Sequence, residues 1–260
     1  QITKVNEQTY FDVYFKDGQN KVHTKLNNIK NCENLYLNIN VKDSENGIGI
    51  YTNSVFMNIV DAGTITVGKN GIGVYSKDEA TTLNNLTLNL FGDNSVGIYT
   101  DGTNYFSGDG TVNIDGKGVV IFNVLGTGGF DQNFNVTSTA GSSYTFWNMK
   151  DSTLYSDSSI ALTGNGMYLN GNNSAILLGT NSNLTSSDSN VVGIALNGAY
   201  AGGLPVTINS EVINQEATNK GNMSFGANST GIYVINGASG ENQGTISLGA
   251  GNPVAKNSGK

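Results

Sequence analysis

The sequence predicts an all-β chain wound as a right-handed parallel β-helix, a solenoid with coils of about 24 residues. Three observations carry that reading. A near-identical unit recurs as NGIGIY (46–51), NGIGVY (70–75) and NSVGIY (94–99), and its central glycines Gly49, Gly73 and Gly97 stand 24 residues apart. Between copies lies a second strand-like run: LYLNINV (35–41), GTITV (63–67), LTLNLF (86–91), GTVNID (110–115), FNVTST (134–139) and SIALTG (159–164). No stretch places apolar residues at helical spacing over three turns, and helix-forming Ala, Glu, Lys and Arg are scarce.

Taken in chain order, residues 1–34 are charged, hold the cluster Tyr10, Phe11, Tyr14 and Phe15, and read as an irregular first coil or a cap over the bore. The solenoid frame then runs from 35 to 249. Weaker copies of the unit are KGVVIF (117–122), SSYTFW (142–147), NGMYLN (165–170) and NVVGIA (190–195). A last clear copy, NSTGIY (228–233), follows a longer step, so a loop or hairpin leaving the coil is expected near 198–221. Residues 250–260 are polar and glycine-rich and are expected to fray. Each period thus holds two short strands between Gly, Asn, Asp and Ser turns, with room for a third. Propeller blades need roughly 40 residues each, and the leucine-rich frame is missing.

Stacking the copies gives two apolar columns expected to face the bore. One is Ile48, Ile72, Val96, Val119, Tyr144, Met167, Val192 and Thr230; the other is Ile50, Val74, Ile98, Ile121, Phe146, Leu169, Ile194 and Ile232. The opposite face then carries a bare strip of Gly49, Gly73, Gly97, Gly193 and Gly231 beside an aromatic ladder of Tyr51, Tyr75, Tyr99, Phe122, Trp147 and Tyr233. The ladder reads structurally as lateral stacking between coils and functionally, with Tyr200 and Pro205 of the insertion, as the candidate binding surface for a protein or a glycan.

Composition narrows the chemistry. A single Cys32 forms no internal disulfide, and with one His23 the Cys/His zinc patterns cannot be built. Thirteen basic residues, all Lys, against 20 acidic ones give a net charge of −7, which argues against nucleic acid as a partner. Charged residues make up 13% of the chain, about half the usual share. No apolar run approaches the roughly 20 residues that span a bilayer. The start at Gln1 reads as that of an excised or mature fragment. Parallel β-helices also include polysaccharide-degrading enzymes, which need two carboxylates about 5–9 Å apart in one groove. Here Asp78, Glu79, Asp93, Asp101, Asp109, Asp115, Asp151 and Asp157 mostly sit beside Gly, Ser or Asn, which is a turn signature. No catalytic residue, metal site or cofactor is assigned.

The recurring N-[GS]-[IV]-G-[IV]-Y unit, the Asn-rich turns, the GTITV-type strands and the absence of Arg resemble the passenger repeats of very large fusobacterial type V autotransporter adhesins, the RadD-like class and its galactose-binding relatives. The resemblance covers roughly residues 35–249. It implies a cell-surface, non-enzymatic passenger segment that attaches to host-cell receptors, protein or glycan, or to other bacteria. It also implies a parent chain anchored in the outer membrane by a C-terminal β-barrel. A spacer without its own binding site is the structural alternative, and a polysaccharide-degrading β-helix the enzymatic one.

Overall fold

The computed structural model describes residues 35–250, apart from 44, 53–56, 60–62, 77–80, 84–85, 103, 107–109 and 131–132, together with the strands Ile2–Val5, Gln8–Val13 and Lys256–Asn257. Short strands cannot satisfy their own backbone donors and acceptors, so each hydrogen-bonds to the strand one period away. The result is a parallel β-solenoid with no helix among the described residues. Sheet I stacks the second-type runs, such as Thr64–Val67, Leu86–Leu90, Gly110–Ile114 and Phe134–Ser138. Sheet II stacks the repeat units, such as Ile72–Ser76, Val96–Thr100, Val119–Val124 and Ser143–Lys150. A third strand per coil does exist: Met57–Ile59 pairs with Thr81–Leu83 as a separate two-stranded sheet, and the later ones form sheet III, including Gly128–Phe130, Thr153–Ser156, Ala175–Leu178 and Ala217–Asn219.

The corner from sheet I into sheet II explains the Asn that opens each repeat. Asn46, Asn70, Asn94, Asn190 and Asn228 have φ of 61°, 54°, 56°, 63° and 55°. That left-handed region is open to Asn at little cost, and its amide bonds locally. Asn94 donates to Asn70 Oδ1 at 3.2 Å, so the turns are tied to one another along the rod. Charges alternate at the same corner: Glu45, Lys69, Asp93 and Lys117 stand one period apart, with Lys69 Nζ 3.0 Å from Glu45 and the Lys117 amide donating to Asp93 at 2.8 Å.

The expected columns need one correction. Along Ile72–Ser76, Gly73 and Val74 are both buried while Ile72 and Tyr75 are half-exposed, so two consecutive residues face the bore. The repeat is therefore not a simple alternation. A Cβ on Gly73 would lie 3.2 Å from Ile65 and 3.2 Å from Val67 of sheet I. The glycine strip faces the core and is no outer trough. Ile72, Val96 and Val192, expected inside, are half-exposed.

Pairing also shifts two coils by one residue relative to the sequence alignment. Ile98 pairs with Phe122, and Phe122 with Trp147, so these two aromatics continue the buried Val74 column and leave the tyrosine row. Each is 1% exposed. The tyrosine row continues instead through Asn123, Asn148 and Asn170. In these middle coils Ile121, Phe146 and Tyr168 lie fully buried between the flanking strand residues, where other coils have glycine. Phe122, Phe134 and Phe146 meet edge to face at 5.3–5.4 Å, a favoured aromatic geometry. Neighbouring coils make room: Gly110 lies under Phe134 and Gly128 under Trp147, where a Cβ would come within 2.3 and 2.4 Å of the rings.

At the ends, Ile2–Val5 pairs antiparallel with Gln8–Val13, which itself pairs parallel with Leu35–Val41. Within the end expected to fray, Lys256–Asn257 pairs with Tyr233 and Val234 of sheet II. His23, Cys32, Tyr14 and Phe15 lie outside the described residues.

Two outcomes follow from this packing. Gly193→Ala would put a Cβ 2.6 Å from the Gly231 carbonyl oxygen and 3.0 Å from Phe225, so urea unfolding should show a loss of about 1–3 kcal/mol. Ala161→Ser, on the exposed outer face, should stay within about 0.5 kcal/mol. Burial, followed by the Asp188 charge for Tyr144 and by the Tyr144 charge for Tyr168, raises the pKa of both tyrosines well above the ordinary 10.0. The unfolded chain then loses these protons first as pH rises, so the stability they confer is present below about pH 10 and declines above it. Absorbance titration should show their ionisation only together with unfolding.

Candidate functional site

The outward face of sheet II carries the surviving part of the predicted ladder. Tyr75 and Tyr99 are backbone partners one coil apart, and their rings stack at 4.9 Å with planes 10° apart. The stack exists because in-register parallel strands place like residues over one another. The Tyr75 hydroxyl donates to Asp101 Oδ2 at 3.1 Å. Burial, and then the charge and hydrogen bond of Asp101, raise the pKa of Tyr99. Tyr51 pairs with Tyr75 through the backbone, and its side chain lies outside the described residues.

This geometry changes what the ladder offers. Each tyrosine of the pair spends one ring face on the other, and beyond Tyr99 the row passes to Asn123. Both tyrosines are half-buried, and the stacking between coils is the structural role weighed for the ladder beside the binding one. The amide row continues the stack: Asn148 donates to Asn123 at 2.7 Å and Asn170 to Asn148 at 2.7 Å. Phe122 and Trp147, read as members of the binding surface, are core residues and cannot touch a partner in the folded rod.

The insertion is a built element. Leu204 and Pro205 precede Val206–Ile208, which pairs antiparallel with Glu211–Ile213. The two residues between, Asn209 and Ser210, have φ of 48° and 65°, the tight turn whose twist matches a hairpin. Ile208 and Ile213 turn inward onto Ala175 and Leu177, with Tyr155, Tyr200 and Val206 around them. This second apolar cluster covers the outer side of Ala175–Leu178, which is buried on both sides. Tyr200 is thus half-buried under the hairpin, whereas Pro205 is exposed. Val212, on the outer side, is 64% exposed and is the one large hydrophobic so exposed among the described residues.

Two acidic residues that the sequence reading passed over fix the hairpin. Glu216 is 3% exposed, and its carboxylate accepts from the Tyr200 amide at 3.2 Å, the Ser239 amide at 2.9 Å and the Ser239 hydroxyl. It ties the insertion to the following coil. Glu211, which directly follows the hairpin's two-residue turn, pairs with Lys220. The hairpin was visible in VTI-NS-EVI (206–213), two short apolar runs around a two-residue turn. Nothing in the sequence distinguishes Glu216 from a solvated glutamate.

The acids weighed for catalysis are engaged in coil-to-coil bonds. Asp93 accepts from Lys117, Asp115 from Thr139 at 2.7 Å, Asp151 from Asn173 at 3.1 Å, and Asp157 from Asn181 at 2.8 and 2.7 Å. Asp78, Glu79 and Asp109 lie outside the described residues. Among the described residues, no three or more His, Cys, Asp or Glu side chains converge as a metal site. No protein family, curated protein or solved structure matches the chain.

Glu216→Ala should leave the Tyr200 and Ser239 amides without their acceptor, at a cost of about 1–3 kcal/mol. Hydrogen exchange should quicken first in 200–216, before the coils on either side.

Proposed function

We propose that this chain is a surface-displayed adhesin segment of a bacterial passenger rod, attaching to a host-cell or bacterial partner, protein or glycan, without chemistry of its own. The observation that carries it is the hairpin. It is packed on the rod by its own apolar cluster, clamped by Glu216, and holds Val212 in solvent. A rigid, exposed apolar residue on a loop that leaves a scaffold suits recognition, because little ordering entropy is lost on binding. The engagement of the acids in turn bonds supports display over hydrolysis. The likeness of the repeats to autotransporter passengers supports delivery to the cell surface by a barrel elsewhere in the parent chain.

The hairpin is the primary contact and the Tyr75, Tyr99 and Asp101 edge the secondary one. The test compares attachment of the purified chain to glycan arrays, host cells and partner bacteria. Val212→Asp should weaken attachment about tenfold or more, as for a central apolar contact. Tyr75→Ala with Tyr99→Ala should have a smaller effect. Both variants leave the hairpin's buried cluster intact, so folding is checked by unchanged circular dichroism. Attachment equal to wild type in both would leave the segment as a spacer.

A further inference from the structure

We propose that the outward face of sheet I is a self-association surface, and that its occupant is a second copy of this chain. The face is a regular polar lattice. One row runs by direct backbone pairing from Thr64 through Thr87, Thr111 and Asn135, and ends at Ser224 and Ser247. A second row, two residues on, begins Thr66, Asn89, Asn113 and Thr137. From Thr64–Val67 to Thr245–Leu248, each outward residue of the strands in these rows is Thr, Asn, Ser or Ala. None is charged. Among the described residues, the charged ones beside these strands sit at the corners, as Asp93, Asp115, Lys117, Asp157 and Asp188 do, while Asp12 lies in the same backbone row two strands before Thr64.

Three features select a second copy. Rungs repeat about every 4.8 Å along the rod and alternate residues about every 6.7 Å along a strand. A partner that touches every rung needs that same repeat, and another copy has it by construction. The groups are also self-complementary, since hydroxyls and primary amides each donate and accept. The ladder uses one Asn89 amide hydrogen on Thr66 at 3.1 Å and one Asn113 hydrogen on Asn89 at 2.9 Å, while each amide carries two. Finally, between Thr64 and Ser247 the face carries no charge, so two copies meeting there meet no like-charge repulsion.

Magnitudes set the strength. Eight strands span about 34 Å, and four residues of width about 13 Å, so the face offers roughly 450 Å² per copy. A stable complex buries about 800 Å² per partner, so one contact is weak and transient. Many copies on one surface multiply it through effective concentration. The net charge of −7 opposes approach, and because the charges lie off the face, salt should strengthen association. The inference is independent of the attachment proposed above, which uses other parts of the rod.

The test is sedimentation of the purified chain, with clustering of chain-coated beads as the multivalent readout. Mass should rise above 27.3 kDa with concentration, and more so at about 150 mM than at about 10 mM salt. Thr111→Glu with Ala161→Glu, both at exposed positions, should weaken association and clustering about tenfold or more. Thr145→Glu with Thr230→Glu on sheet II should leave both unchanged, and thermal melts check folding of each variant. A wild-type chain that remains monomeric and leaves beads dispersed overturns the proposal. So does a sheet I variant that associates like wild type. A monomer that instead shapes growing ice crystals would assign the face to an ordered water lattice, and would equally overturn it.

Discussion

The in-register hydrogen bonding of each coil to the next constrains everything else in this molecule. It places every side chain over its counterpart one period away, at about 4.8 Å. A residue type then has to tolerate its own repetition. Branched aliphatics do so inside, Asn and Thr do so by donating along the row, and Tyr75 and Tyr99 do so by stacking. Like charges do not: at about 5 Å and an effective dielectric near 20 they repel by about 3 kcal/mol before salt screening. The 13% charged fraction follows from this, and so does the alternation Glu45, Lys69, Asp93, Lys117 at the corner that tolerates charge.

The same constraint explains what was legible in the sequence. Periodicity and strand position were, because turn Asn and inward aliphatics recur at the same step. Orientation within the strand was less so. Alternation predicts Ile72 inside and Gly73 outside, and the strand turns both Gly73 and Val74 inward. The shift at Phe122 and Trp147 has a related cause. Matching by chemical likeness puts aromatic under aromatic, whereas the fold matches inward with inward, so Phe122 lies in register with Ile98 and the tyrosine row passes to Asn123. The insertion was readable as a loop or hairpin from the longer step between repeats, but its clamp was not, because the main partners of Glu216 are backbone amides that any residue supplies.

Repetition also limits where recognition can sit. A ladder that stabilises the rod does so by occupying the faces and hydrogen-bonding groups a ligand would use, as the Tyr75 and Tyr99 rings show. Contacts specific to one partner are better made where the period is broken. The insertion between Val192–Asn197 and Ala217–Asn219 is such a break, and there the chain builds a separate apolar cluster and exposes Val212.

The break also has to be reconciled with the stack. Inserting residues between two strands of a coil is tolerated only if the strands on either side keep their register, since a slip of one residue would turn inward groups outward. Here Ile194 still pairs with Ile232 and Ile176 with Ala217 across the insertion. Glu216 stands immediately before Ala217 and bonds to Ser239, immediately before Gly240, the next residue in the same row of sheet III. The buried carboxylate therefore acts at the point where the chain rejoins the coil. It holds the returning strand in register and anchors the hairpin in one contact, which couples the element suited to recognition to the repeat that carries it.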